Sequence, residues 1–268
     1  MTIRRILCGT AATGVLALAL MSGPVLAEQK VETPKHGGAV EILTVYATIS
    51  ALSLDNYDYN WKHNHDTGQV YEQLFYADFK KSRGRGGADT QVPDAFIPTD
   101  MMLGELAEKW ELQENPLRIV INLRKGVMFP DKPGVMKSRE MTSEDIKFTF
   151  NRLNSSPKKV PGMYDYVTSV DTPDKYTFIL NLKEYNAEWA YRFGYGYYSG
   201  IVPKEVIDAG PANWKNINGT GPFRLTDYVA GNSNTYERNP VYWGAETVNV
   251  QKLKLPYVDK ITYRFIKD

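Results

Sequence analysis

Apolar and polar positions along this chain divide it into short strands and few helices. After a polar lead at 28–38, residues 39–48 (A-V-E-I-L-T-V-Y-A-T) read as a first core strand. Asp66 and Thr67 suit the cap of a helix that turns Val70, Leu74 and Phe75 toward a core. Residues 80–100 are loop-like, 103–110 fit a short helix, and 118–125 alternate Ile119, Ile121 and Leu123 as a strand does. At Thr142 a second helix begins. Thr-Ser-Glu-Asp outlines a capping box with Asp145 in the place of the usual Glu or Gln, and Ile146, Phe150 and Leu153 share one face. Thr172-Pro173-Asp174 predicts a turn into 175–183, where Tyr176, Phe178, Leu180 and Leu182 alternate. Pro203 opens a helix that Gly210 closes, and 260–266 alternates Ile261, Tyr263 and Phe265 as a last strand.

The best-marked stretch is Gly219-Thr220-Gly221-Pro222-Phe223. It reads as a glycine-flanked strand start with Phe223, Leu225 and, less regularly, Tyr228 on a buried face. Gly231-Asn232-Ser233-Asn234 makes the turn, and 235–238 return until Asn239-Pro240 stops the ladder, with Tyr242 and Trp243 to pack beneath it. Strands and helices mixed without a regular β-α-β rhythm predict an α+β chain or a two-lobed one. There are no internal repeats.

The N-terminus changes the picture of where the protein works. Arg4 and Arg5 precede an apolar stretch at 6–21, and Val25-Leu26-Ala27 offers a small residue for cleavage before Glu28. The apolar run is too short and too rich in Gly, Ala and Thr for a membrane anchor. Cys8, the single cysteine, lies early in this leader and not at the cleavage point a lipoprotein needs, so the mature chain is expected to be free and cysteine-less. A core must then hold it without disulfides. Of 32 basic residues, Arg4 and Arg5 leave with the leader, so 30 face 31 acidic ones. That balance argues against nucleic acid and membrane surfaces. The knot Lys80-Lys81-Ser82-Arg83-Gly84-Arg85, followed by Gly86-Gly87, reads as an exposed loop and lacks phosphate-loop spacing.

Catalytic chemistry is thin. A mature chain without cysteine excludes thiol catalysis, and the Gly-x-Ser-x-Gly and Ser-x-x-Lys elements are absent. No spacing offers a nucleophile with its base, so no enzyme is expected. Histidine is limited to His36, His63 and His65. His63 and His65 have the i, i+2 spacing of one strand face, which would hold Ni²⁺ or Zn²⁺ together with Asp66; the competing reading is a pair of solvated side chains in a loop. Glu144 and Asp145 fall at a helix N-terminus, where the macrodipole accounts for them. The 18 tyrosines and 5 tryptophans suit a cleft for an amphipathic ligand, and equally suit half-buried sheets.

Taken together, several segments resemble the periplasmic solute-binding proteins of the oligopeptide/dipeptide/nickel ABC importers (extracellular solute-binding protein family 5). Gly219-Thr220-Gly221-Pro222-Phe223 with Arg238-Asn239-Pro240-Val241-Tyr242-Trp243 is similar to that family's paired signature. So are Leu106-Ala107-Glu108-Lys109-Trp110 with Leu123-Arg124-Lys125-Gly126-Val127-Met128-Phe129, Thr142-Ser143-Glu144-Asp145-Ile146, Ser53-Leu54-Asp55 and Ile201-Val202-Pro203-Lys204, all in family order. Asn56 departs from the family's proline after Leu-Asp, and the turn at 129–134 is longer than usual.

The resemblance implies an α+β, two-lobed periplasmic binding protein of type II (cluster C-like). This chain would supply the first lobe and lack the second. The first-lobe core would comprise 36–52 and 216–268, with an inserted α+β subdomain at 53–215 and a signal peptide at 1–27. The function it implies is capture of a small solute, a peptide first of all, and delivery to ABC permease subunits, by a monomer without cofactor. Three segments would face the cleft: Asn60, Trp61 and Lys62; Tyr164 and Tyr166; and Tyr195, Tyr197 and Tyr198. For the tyrosines, packing against sheet edges is the alternative. A metal or metal-chelate protein built on His63 and His65 is the second functional reading.

Overall fold

The computed structural model describes residues 32–44, 55–59, 67–78, 81, 97–196 and 198–266. The strands are β1 (Ala39–Thr44), β2 (Phe75–Ala77), β3 (Met102–Gly104), β4 (Ala107–Glu114), β5 (Leu117–Leu123), β6 (Met128–Phe129) and β7 (Arg139–Glu140), followed by β8 (Val167–Asp174) and β9 (Thr177–Leu182). Further along come β10 (Phe223–Val229), β11 (Ser233–Arg238), β12 (Ala245–Val248), β13 (Gln251–Lys254) and β14 (Lys260–Phe265). Helix α1 is Ser143–Asn154, α2 is Lys204–Asp208, and a wide π-helical turn covers Ala190–Tyr195. Among the described residues no helix is long and apolar enough to cross a membrane.

Two four-stranded sheets organise the chain. One has the order β4-β5-β9-β8, antiparallel throughout. Its strands form because alternate residues are apolar: Ile119 faces Leu180 and Ile121 faces Phe178 across the β5/β9 ladder, and all four are buried. Helix α1 lays Ile146, Phe150 and Leu153 into the same core. Its start is the predicted capping box, in which the Thr142 amide donates to Asp145 Oδ2 at 2.9 Å. Arg139 then ties that cap to the next helix. It donates to both Asp145 oxygens at 2.7 and 3.0 Å and to both Glu205 oxygens at 2.6 and 2.8 Å.

The second sheet has the order β1-β14-β11-β10, with β1 parallel to β14 and the other pairs antiparallel. Phe223 and Leu225 are buried as expected. A register shift between Leu225 and Asp227 turns Tyr228 off the strict alternation. The return strand begins at Ser233, two residues before the predicted start, and Gly231 takes the left-handed conformation (φ +67°) that the turn requires.

Where the chain departs from expectation, long-range bonds decide. The helix predicted from Asp66 and Thr67 is a single turn, with the Val70 and Tyr71 amides donating to the Thr67 carbonyl; Asp66 itself lies outside the described residues. Beyond it residues 71–74 form neither helix nor strand, and β2 starts at Phe75. The helix expected at 103–110 is instead β3, a turn and the start of β4. Leu106 is buried there because its amide donates to Gln73 O, while that of Glu105 donates to Leu74 O. Thr172-Pro173-Asp174 is the end of β8, and the reversal falls at Lys175 and Tyr176. The exposed loop expected around residue 80 lies, apart from Lys81, outside the described residues, as does the end of the first strand past Thr44.

Residues 69–75 join two hydrophobic cores. Val70 and Tyr71 sit in a smaller one with Val202, Val206, Phe223, Leu225 and Tyr236; Leu74 and Phe75 sit in the larger one. The amides of Gly221 and Phe223 donate to the carbonyls of Val70 (2.7 Å) and Gln69 (3.0 Å), Ile201 N to Glu72 O (2.9 Å), and Leu74 N to Gly194 O (3.0 Å). This explains the two glycines of the G-T-G-P-F segment: a Cβ at Gly219 or Gly221 would stand 2.2 or 2.6 Å from the Val70 carbonyl oxygen. Asn239 secures the same junction, its amide nitrogen Nδ2 donating to Gly221 O at 2.9 Å. Gly221→Ala is expected to lower unfolding free energy by about 3 kcal/mol through forced displacement of this backbone. Urea denaturation measures it, and an unchanged midpoint would show that the junction is not close-packed.

Candidate functional site

The segment after the Leu-Asp pair is built onto the C-terminal end of α1. Arg152 donates to Asp55 Oδ2 at 2.5 Å and to Asn56 Oδ1 at 2.8 Å, and its guanidinium lies 4.8 Å from the Tyr57 ring centre. The Tyr59 hydroxyl donates to Leu153 O at 2.9 Å, and Ser156 Oγ to Tyr57 O at 2.6 Å. Asn56, the departure from the family's proline, uses its side-chain amide to donate to Gly200 O (3.1 Å) and Tyr198 O (3.3 Å). The segment at 195–200 is therefore brought against 55–59, and the Tyr59 and Tyr198 rings meet with centroids 4.8 Å apart. From the other side Gln73 Nε2 donates to Gly196 O at 2.6 Å and to Ser199 Oγ at 3.0 Å.

The predicted site residues fall into three groups. Tyr195 and Tyr198 are partly buried and pack against the larger core; the Tyr195 hydroxyl accepts the Ile97 amide at 3.0 Å. Tyr164 and Tyr166 correct the expectation of a cleft wall, since each is only 2% exposed. Tyr164 donates to Arg192 O at 3.1 Å and packs on Phe150 at 5.1 Å. Both belong to the larger hydrophobic core, and that burial raises both phenol pKa values. Asn60, Trp61, Lys62 and Tyr197 lie outside the described residues, as do His63 and His65. Tyr59 is the described residue directly before Asn60.

A second cluster escaped the sequence reading. Glu72 is 2% exposed, and both of its carboxylate oxygens accept the Trp243 indole N–H, at 2.9 and 3.0 Å. Part-buried Glu105 accepts the Gln73 amide at 2.8 Å. Arg124 stacks 4.3 Å over Trp243 and donates to the Glu105 main-chain carbonyl. Among the described residues neither carboxylate belongs to an ion pair. Burial is the main cause that pushes Glu72 up to about 7, against the pull of its hydrogen bonds and of Arg124. Glu105 is raised well above the usual carboxylate range by burial and by the neighbouring Glu72. Burial first, and then the same two acids, raise the Tyr242 phenol. A lone acid in Val-Tyr-Glu-Gln-Leu carries no sequence signal of this role, because it reads as the polar side of a helix.

Comparison with known proteins gives this arrangement a setting. The sequence profile described as "Bacterial extracellular solute-binding proteins, family 5 Middle" matches residues 102–268. The dipeptide-binding protein of Escherichia coli (strain K12) is 27% identical over 195 residues, covering 64% of this chain and 34% of its own. Heme-binding protein A of Haemophilus influenzae is 26% identical over 223 residues, 76% of this chain and 37% of its own. Among solved structures, the periplasmic binding protein DppA of Helicobacter pylori in complex with the peptide STSA superposes with a TM-score of 0.64 at 21% identity, over 87% of this chain and 43% of that one. The chain belongs to the family 5 extracellular solute-binding proteins, and its fold is that of type II periplasmic binding proteins over the part it covers. It spans about a third of the length of the curated relatives it matches.

The raised carboxyls make stability depend on pH. Because the folded pKa of Glu72 lies above its ordinary value, the protonated form favours folding. This contribution is complete below the ordinary carboxylate range and is lost as pH rises through about 7. Its size is on the order of 3 kcal/mol. The urea midpoint should fall between about pH 5 and about pH 8, and Glu72→Gln should flatten that slope while keeping an acceptor for Trp243. An equal slope in the variant would rule Glu72 out as the titrating group.

Proposed function

We propose that this chain captures a small solute, a peptide first of all, on the surface where Asn56 and Tyr59 meet Tyr198, for delivery to ABC permease subunits. The observation that carries the reading is the Tyr59–Tyr198 contact, anchored by Asn56, Arg152 and Gln73. It sets two aromatic segments side by side, with Asn60, Trp61 and Lys62 following directly. Flat, amphipathic rings held by backbone bonds are pre-ordered for a ligand and lose little entropy on binding it. Relatives named for dipeptide binding, and a fold neighbour in complex with a peptide, support a peptide over other solutes. The family consists of solute-binding transport proteins, and we read this chain as a binding protein and not an enzyme.

The rest of the proposal follows from the same reading. Residues 36–52 and 216–268 form the core of a first lobe, a division supported by β1 running beside β14, and 53–215 form the inserted subdomain. The solute is held between this surface and a second lobe, whose closure removes the remaining water from it. Residues 1–27 direct a monomer to the periplasm and are removed after Ala27.

Calorimetry with tri- and tetrapeptides, nickel chelates and oligosaccharides, on this chain and on the longest product of its reading frame, tests the solute. Peptide binding should be tighter in the longer product, and Trp61→Ala or Tyr198→Ala should weaken it about tenfold. Binding untouched by both substitutions would remove these rings from the site; preference for nickel lost in the His63→Ala/His65→Ala double variant would favour the metal reading. N-terminal sequencing of exported protein should begin at Glu28, and a chain that keeps Met1 would refute the processing.

A further inference from the structure

A pocket of about 250 Å³ opens beside Tyr195, away from the Tyr59–Tyr198 contact, lined among others by Trp110, Leu112, Tyr185, Trp189 and Tyr195. Protein interiors rarely leave voids much larger than a water molecule, and this space holds one indole- or phenyl-sized group. Its chemistry follows from strand alternation. Trp110 and Leu112 occupy the same face of β4, while Glu111 between them turns to the other face, where its carboxylate takes the Gln113 amide. The Tyr195 hydroxyl is already engaged by Ile97 N–H. Glu111 is thus the one charged residue among the described lining residues, and strand alternation carries its carboxylate to the face opposite Trp110 and Leu112.

The tryptophans are held from behind. Phe75, fully buried, contacts Trp110 at 4.7 Å and Trp189 edge-on at 5.6 Å between centroids, so the walls are set before anything binds. At the rim Leu112 is 45% and Tyr185 53% exposed. An ordinary packing gap is closed over by side chains. Leu112 and Tyr185 both line this pocket, so a group entering it would take apolar surface of both out of water.

We propose that this pocket is a subsite for a bulky, uncharged apolar group, namely an aromatic side chain carried by a peptide. A cation or carboxylate would lose its hydration here and find no partner. That the carrier is a peptide rests on the solute-binding reading; the apolar preference of the pocket does not.

The test uses N-acetyl-4-fluorophenylalaninamide and ¹⁹F NMR line width on the intact chain. Saturable broadening is expected with a Kd of about 1 mM, the order set by a ligand of this size. Leu112→Glu should raise that Kd at least tenfold, and N-acetyl-lysinamide should not compete. Tyr185→Ala, at a similarly exposed rim position, should weaken the probe about fivefold and serves if Leu112→Glu shows an altered urea midpoint. No saturable binding, unchanged affinity in a folded rim variant, or equal competition by the lysine amide would overturn the subsite. So would self-association that competes with the probe, since it would assign the pocket to a second copy of the chain. The two readings separate cleanly: probe binding without peptide capture leaves the pocket and removes the peptide carrier, and peptide capture indifferent to Leu112→Glu removes the pocket and leaves the solute reading.

Discussion

Residues 69–75 run between two hydrophobic cores from the end of a single turn to the start of β2, and an interior segment without a helix or ladder of its own must have its amides and carbonyls satisfied by other parts of the chain. Here Gly221 and Phe223 bond one end, Ile201 the middle, and Gly194, Glu105 and Leu106 the other end. These partners come from four different elements, so the β10/β11 hairpin, the approach to α2, the π-helical turn and the β3–β4 turn are all positioned by the same short stretch. The close approach of Gly219 and Gly221 to the Val70 carbonyl is the steric form of that constraint. A signature that looks like strand punctuation is in fact a backbone-to-backbone contact that tolerates no Cβ.

Charge acts as a set of joints around this junction. Arg139 holds the N-terminal ends of α1 and α2 through four hydrogen bonds to two carboxylates, and Arg152 holds the 55–59 segment to the other end of α1. Planar guanidinium groups suit this work because several donors are fixed in one fork. The acids at Glu72 and Glu105 behave differently: among the described residues neither has an ion pair, burial raises the pKa of both, and Trp243 is secured to Glu72 by hydrogen bonds instead. Helix α1 is thus fixed at both ends, and the surface that carries Tyr59 and Tyr198 inherits that rigidity.

The proposed solute surface and the aromatic pocket share one scaffold, since Gly194, Gly196 and Ser199 are pinned by Leu74 and Gln73. Tyr195 looks to the pocket and Tyr198 to the 55–59 segment. A ligand touching both would be read at two places by one turn of backbone. Preorganisation of this kind lowers the ordering cost of binding.

Local chemistry was enough to read much of the chain. The capping box at Thr142 and Asp145, the apolar face of α1, the alternation in β5 and β9, the Pro203 helix start and the β10/β11 hairpin all follow from contacts within a few residues. Membership of the solute-binding family was legible too, because its motifs stand in order along the chain. The segments at 67–75 and 103–110 were not. Val70 and Leu74, like Leu103, Leu106, Ala107 and Trp110, have a spacing that a helix face also produces, so periodicity alone favours the wrong element. Nor could it show that Tyr164 and Tyr166 belong to the core or that Glu72 meets Trp243. Those outcomes depend on hydrogen bonds and packing between residues far apart in the chain, and such partners exist only once the fold has brought them together.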